Sequence, residues 1–243
     1  INTLYLNFLR SSSQHMASEQ AKELAAKQST VRIGDTVPNF TQNTTFGEIN
    51  FHEALGDSWA ILFSHPRFRT PICTTELAAF AKEYKRFEKM GVKVFALSVD
   101  TQEDNDKWTG EIAAFAGVEK LPFPIVCDAD YKVSLAYGMV NQDHVDAKGM
   151  PLTVRSVFFI NPQKKCMAII SYPANVGRNS EEIFRVLEAL QLTEKYTVAC
   201  PVNWTPGKKV VVPPFVSTED AQAKHGELEI VQPYLRFVND PSQ

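Results

Sequence analysis

The stretch Ser64-His65-Pro66-Arg67-Phe68-Arg69-Thr70-Pro71-Ile72-Cys73-Thr74-Thr75-Glu76-Leu77 decides how the rest of the sequence is read. A short apolar run, Trp59 to Phe63, leads into it, and an amphipathic pattern, Leu77 to Met90, leads out. The order implied is strand, loop, helix. Thr70 suits the N-cap, because its hydroxyl can accept from an orphan N–H of the first turn. Pro71 suits the first helical position, where its missing N–H is not needed. Cys73 then falls at the third helical position. There the free N–H groups and the positive end of the helix dipole favour a thiolate over a thiol. Taken alone, a free cysteine is most often a small buried hydrophobe. The capped, proline-started turn around this one makes an anion-accepting pocket instead. Thr74, Thr75 and Glu76 follow, so no Cys-x-x-Cys pair exists and the usual dithiol chemistry is excluded.

Outward from this stretch, strands and helices alternate. Ala60–Phe63 reads as a buried strand, and residues 71–90 as a helix whose apolar residues recur at three- to four-residue spacing, with Gly91 as its stop. Val92–Val99 is a second strand. Asp104–Phe115 is a second helix with Trp108, Ile112 and Phe115 on one side. Phe123–Cys127 is a third strand, and Tyr131–Tyr137 a short helix stopped by Gly138. Val154–Ile160 and Cys166–Ser171 are strands around the turn Asn161-Pro162-Gln163-Lys164. Ser180–Leu190 is a last helix. Upstream, Gly47 marks a turn between two short strand-like pieces and Phe51–Leu55 a helical turn. Repeated β–α units followed by a hairpin and a helix give an α/β class: a central mixed sheet flanked by helices, compatible with a thioredoxin-like layout.

The ends differ in texture. Residues 1–30 look detached: Ile1–Arg10 could be a transit-like leader, and Ser11-Ser12-Ser13-Gln14-His15-Met16 resembles a cloning scar ending at a start methionine. Residues 197–215 carry Pro201, Pro206, Pro213 and Pro214 and read as an extended arm. The expected division is a leader over 1–30, a main domain over 31–193 and a smaller C-terminal extension over 194–243 that packs on the main domain or on a second subunit.

The 243 residues are 44% hydrophobic and 22% charged, ordinary for a globular protein. A formal net charge of −3 argues against a nucleic-acid surface. No apolar run approaches the roughly 18 residues that span a bilayer. The four cysteines, at 73, 127, 166 and 200, form neither a disulfide framework nor zinc-ligand spacing. Free thiols point to a reducing compartment, most simply the cytoplasm.

Pro66-x-x-x-Thr70-x-x-Cys73 resembles the signature of the peroxiredoxins, and the segments around it are most similar to the one-cysteine group. The resemblance spans about residues 32–240 and includes Leu121-Pro122-Phe123-Pro124, Lys148-Gly149-Met150-Pro151, Tyr172-Pro173-Ala174 and Gly177-Arg178-Asn179. It implies a thioredoxin-like fold and a thiol-dependent peroxidase. Hydrogen peroxide and organic or phospholipid hydroperoxides would be the substrates. Cys73 would be the nucleophile and would become a sulfenic acid. Thr70 would contact the peroxide oxygens while capping the helix, and Pro66 would shield the sulfur. Arg155 would stabilise the thiolate and the leaving oxygen. His65 would stand beside the nucleophile or be a satisfied structural residue. Glu76 would orient the arginine and cap the first turn. No resident cofactor or metal is implied, only an external thiol such as glutathione or thioredoxin, with a glutathione transferase-type partner. A homodimer and peripheral contact with oxidised phospholipid are also implied.

Three features depart from that pattern. The loop reads Arg67-Phe68-Arg69 where the group usually has an acidic residue and then an aromatic. Arg69 would add positive charge near Cys73. Cys200-Pro201-Val202-Asn203-Trp204 resembles the resolving-cysteine motif of two-cysteine members, so Cys200 is either a bystander or the partner of Cys73 in a disulfide. Gly56-Asp57-Ser58-Trp59-Ala60 with His52 resembles a lipase element of some one-cysteine members, but their aspartate falls at Gln163. Glutamine supplies no charge to an imidazolium, so phospholipase A2 activity is expected to be weak or absent. A redox switch or chaperone using Cys73 as sensor is the competing class of function.

Overall fold

The computed structural model describes residues 19–243. The chain divides into two compact units, the first ending at Arg178 and the second running from Asn179 to Gln243. The boundary thus falls before the last long helix and not at 193. In order, the first unit contains α1 (Glu19–Ala26), β1 (Thr41–Thr44), β2 (Gly47–Asn50), α2 (Phe51–Leu55), β3 (Trp59–Ser64), α3 (Pro71–Lys82) and α4 (Tyr84–Lys89). It continues with β4 (Val92–Ser98), α5 (Gln102–Ala116), β5 (Ile125–Cys127), α6 (Lys132–Ala136), β6 (Val140–Val145), β7 (Pro151–Thr153), β8 (Arg155–Ile160) and β9 (Cys166–Tyr172).

Seven strands make one mixed sheet in the order β2-β1-β5-β4-β3-β8-β9. β3 is central. It runs parallel to β4, with Phe63 opposite Ala96, and antiparallel to β8, with Phe63 opposite Val157. β3 is buried along its whole length, which explains its unbroken apolar sequence: both faces are covered. Ala60 and Leu62 join Phe51, Phe95, Phe158 and Tyr137 in one core cluster. Phe63 points the other way, edge-on to Phe80 of α3 at 4.7 Å between ring centres. Because β3 and β8 are antiparallel, the end of β3 and the start of β8 meet at one edge of the sheet. Ser156 N–H donates to Ser64 Oγ there at 3.2 Å.

Several expectations need correcting. The helix expected over 71–90 is two helices, broken at Glu83. Phe115 is 58% exposed, under Lys82, while Trp108 and Ile112 are buried. The hairpin β6–β7 is absent from the sequence reading, because Val140–Val145 mixes apolar and polar residues and its register slips between Asn141 and Val145. Residues 1–18, with the proposed scar, lie outside the described residues. The remainder of the expected leader is no detached tail: α1 buries Ala21 completely, and Ser29 N–H donates to the Leu135 carbonyl at 2.8 Å.

The second unit holds α7 (Ser180–Tyr196), β10 (Val210–Val211), α8 (Thr218–His225), β11 (Glu229–Gln232) and β12 (Leu235–Val238). The Asn179 side chain caps α7 by accepting from the N–H groups of Glu181 and Glu182. α7 runs six residues past its expected end at Leu190. The region expected as an arm builds its own sheet, β10-β12-β11, around Leu192, Trp204, Val210 and Val238.

Gly138, at φ +68°, lies so close to α1's exit that a Cβ there would meet the Ser29 carbonyl oxygen at 2.7 Å. Gly138→Ala is therefore expected to cost about 1–3 kcal/mol, combining a left-handed backbone with a clash. Urea unfolding would register this as a lower midpoint at unchanged slope.

Candidate active site

Cys73 sits at the third position of α3 and is fully buried. The first helical hydrogen bond runs from Thr74 N–H to the Thr70 carbonyl at 2.9 Å, leaving the N–H groups of Ile72 and Cys73 ahead of the ladder. Thr70 has the extended backbone of an N-cap, but its hydroxyl makes no cap bond. It donates instead to the Arg67 carbonyl at 3.2 Å, so the expected side-chain cap is replaced by a bond within the loop.

Arg155 opens β8, and the strand register carries it to the sheet edge below α3. Its Nη1 stands 3.4 Å from Cys73 Sγ and 2.6 Å from Glu76 Oε2, while Nε and Nη2 donate to the Ala174 carbonyl. Glu76, one helical turn after Cys73, pairs with the arginine through Oε2. It does not cap the first turn, because both of its oxygens are engaged by arginines. Oε1 accepts from Arg178 N–H and Oε2 from Arg178 Nη1, each at 2.8 Å.

Arg178 went unassigned in the sequence, although it lies in a segment that carried the resemblance. Its side chain is 1% exposed. Nη2 donates to the carbonyls of Ser64 and Ser156, and the guanidinium lies over the Phe63 ring. Burial, with Arg155 nearby, pulls its pKa down to about 10, and Glu76 opposes that shift. Two guanidiniums and one carboxylate leave an excess positive charge in a buried site.

A pocket of about 750 Å³ opens over this cluster. Pro66, Thr70 and Arg155 line it together with Ile72, Leu152 and Ala174. The loop residue Arg67 is fixed by Asp100 Oδ1 at 3.3 Å and Asp146 Oδ2 at 2.7 Å, while Asp100 Oδ2 accepts from Phe68 N–H. Asp100 is almost wholly buried, and its carboxyl is raised above its usual range by that burial. Sequence reading missed both aspartates, since no local spacing links residues 67, 100 and 146.

The remaining candidates fall elsewhere. The His65 ring is buried edge-on to Trp108, and neither nitrogen has a partner at hydrogen-bond geometry among the described residues. Arg69 turns away to pair with Glu111 on α5, so its charge is already partnered. His52 Nε2 meets the Val37 carbonyl at 3.0 Å and makes no hydrogen bond to Ser58. Cys127 and Cys166 are buried in strands, and burial pushes both thiols up to about 11. Cys200, in the second unit, is half-buried against the Trp204 cluster, and burial raises its thiol as well.

The AhpC/TSA family matches residues 33–169, and the C-terminal domain of 1-Cys peroxiredoxin matches residues 189–233. With the geometry above, the chain belongs to the AhpC/TSA family. Within it the chain is a peroxiredoxin of the one-cysteine group, a thiol-dependent peroxidase with a thioredoxin-like fold. It is 47% identical over 209 residues to the mitochondrial peroxiredoxin PRX1 of Saccharomyces cerevisiae, covering 85% of this chain and 80% of that one. It is also 47% identical over 218 residues to peroxiredoxin-6 of Rattus norvegicus, covering 86% and 97%. A cysteine-to-serine mutant of peroxiredoxin 6 from Arenicola marina superposes with a TM-score of 0.85 at 41% identity, covering 88% of this chain and all of that one. The yeast mitochondrial 1-Cys peroxiredoxin, whose structure addresses thiol resolution through glutathione and thioredoxin systems, gives 0.81 at 46% identity, covering 86% and 100%. Among the described residues no helix is long and apolar enough to cross a membrane.

The buried His65 generates a pH prediction. Its imidazole is pushed down to about 3 by burial and then by the charges of Arg178 and Arg155, with a backbone contact at Arg67 opposing. In the unfolded chain it titrates near ~6.5. Below that pH the unfolded state takes up a proton that the folded state refuses, so stability falls as pH drops from about 6.5 toward 3 and is unaffected above. His65→Gln should remove this component, flattening the acid slope by about 1.4 kcal/mol per pH unit in urea titrations.

Proposed function

We propose that Cys73 is the peroxidatic nucleophile and that Arg155, Thr70 and Pro66 form the site where the peroxide is cleaved. The observation that carries this is Sγ within 3.4 Å of a guanidinium held rigid by Glu76, beside a pocket that Thr70 and Pro66 line. The thiolate attacks one peroxide oxygen, the S–O bond forms as the O–O bond breaks, and the leaving oxygen takes up a proton to become water or an alcohol. Negative charge moves from sulfur to that oxygen. Arg155 and the N–H groups of the α3 first turn stabilise it throughout, with no reorganisation needed. The product is a sulfenic acid at Cys73.

On this reading the only co-reactant is an external thiol, which condenses with the sulfenic acid to a mixed disulfide and water. A second thiol then releases Cys73. Glutathione or thioredoxin fits this role, supported by the yeast relative whose resolution runs through those systems. A glutathione transferase-type carrier, a homodimer and contact with oxidised phospholipid remain part of the proposal. Free thiols support a reducing compartment. That is the cytoplasm on composition, or the mitochondrion by analogy with the relative named for it. His52, bonded to a carbonyl, and the neutral Gln163 support weak or no phospholipase activity.

Cys73→Ser should abolish peroxide consumption in the presence of dithiothreitol. Arg155→Met should lower the second-order rate with hydrogen peroxide by about a hundredfold, the scale of losing one preorganised donor. Retained turnover in Cys73→Ser would refute the assignment, and stoichiometric oxidation of the native chain without turnover would favour the redox switch. Mass spectrometry after one equivalent of peroxide separates the two resolution schemes: a Cys73–Cys200 disulfide would establish the two-cysteine cycle, and a free sulfenic acid the one-cysteine cycle.

A further inference from the structure

We propose that the segment Glu19–Ser29, ahead of the residues that match the family, positions one wall of the substrate pocket by bracing the β6–β7 hairpin. The inference rests on the reading of that pocket as the peroxide site. The hairpin contributes His144, Asp146, Ala147, Lys148 and Leu152 to the pocket lining. It belongs to neither larger sheet: among the described residues β6 and β7 pair only with each other, and irregularly. A lone two-stranded hairpin is marginally stable at best, so its position must come from packing outside itself.

β7 is held by the Tyr131 hydroxyl donating to the Pro151 carbonyl and by the Thr153 hydroxyl donating to the His65 carbonyl, and two further braces hold the rest of the hairpin from opposite ends. On the active-site side, Arg67 Nη1 holds Asp146 Oδ2, while Asp146 Oδ1 accepts from the N–H groups of Lys148 and Met150 and so fixes the hairpin's turn. On the other side stands α1. Ala21 is fully buried against Val145 at the end of β6. Ala25 packs on the cluster of Val99, Tyr131 and Val140. The Gln28 amide then pairs with β6 as a neighbouring strand would: Nε2 donates to the Val140 carbonyl at 3.3 Å, and Oε1 accepts from Val140 N–H at 3.2 Å. Ser29 N–H closes the segment onto the Leu135 carbonyl at 2.8 Å.

The strap thus touches the beginning and end of β6 and never the reacting atoms. Its effect should depend on substrate size. Hydrogen peroxide needs only the space beside Sγ, whereas a bulky organic hydroperoxide must rest its substituent against the hairpin wall. A strap that merely stabilised the fold would affect both substrates alike.

The test uses the full chain with Ala21→Glu, which puts a charge into the buried contact, and Gln28→Ala, which removes only the amide pairing. Amide hydrogen exchange over residues 140–153 should rise about tenfold while β3 and α3 keep their protection. The kcat/KM for cumene hydroperoxide should fall about threefold further than that for hydrogen peroxide. If Ala21→Glu does not fold, Gln28→Ala carries both readouts. Unchanged exchange over 140–153, or an equal loss for the two peroxides, would overturn the proposal. If the native chain consumed neither peroxide, the active-site reading would fall while the exchange data still decided whether the strap braces the hairpin.

Discussion

The Glu76 carboxylate is the interaction on which the site depends. Two guanidiniums buried within a few ångströms of each other would repel strongly in a medium of low effective dielectric. Glu76 accepts from both; Arg155 Nε and Nη2 donate to the Ala174 carbonyl and Arg178 Nη2 to those of Ser64 and Ser156, while Arg178 Nε stays buried without a partner among the described residues. Burying charge costs several kcal/mol per ion unless such partners exist. Here the partners are drawn from α3, the ends of β3 and β8, and the segment after β9. The ion cluster therefore ties together the elements that must meet for Cys73 to be reached by a cation.

Sheet topology makes that convergence inevitable. β3 delivers the loop and α3, and its antiparallel neighbour β8 begins where β3 ends. Residues 82 positions apart in the chain, Cys73 and Arg155, thereby become hydrogen-bond neighbours. The same register places Ser64 Oγ, donating to the Val154 carbonyl at 2.6 Å, beneath the cluster as a small polar linker between the strands. A peroxide bond cleaved here would meet its stabilising donors already in position, which is where electrostatic catalysis gains over water.

The sequence made some of this legible and hid the rest for physical reasons. Continuous apolar strands and a proline-started helix are local patterns, and β3, α3 and the third-position cysteine were readable from them. Glu76 and Arg155 followed from resemblance. Arg178 had no signal beyond a resembling tripeptide, because none of its partners is local: Glu76 and Ser64 lie over a hundred residues away along the chain and Ser156 lies 22 away. Thr70's hydroxyl was misassigned because capping propensity competes with a nearby carbonyl in the tight loop, and the carbonyl of Arg67 won. Where Arg69 points was not legible either: its backbone is left-handed, at φ +50°, and its side chain faces Glu111. The β6–β7 hairpin escaped because its order comes from what surrounds it and not from alternation of its own residues.

That last point bears on how chemistry and selectivity are divided in the molecule. The ion cluster is built from the main sheet and α3, where any displacement would expose or unpair a buried charge. The opposite wall of the pocket is a hairpin outside that sheet, attached by an ion pair at Asp146, by hydroxyl bonds of Tyr131 to Pro151 and of Thr153 to His65, and by apolar and amide contacts. Replacing wall residues changes contacts of ordinary strength, while replacing cluster residues strands a charge. The pocket can therefore change its width and lining without disturbing the donors that face the sulfur. On the proposed reading, the reaction belongs to the sheet edge and the choice of peroxide substituent to the hairpin.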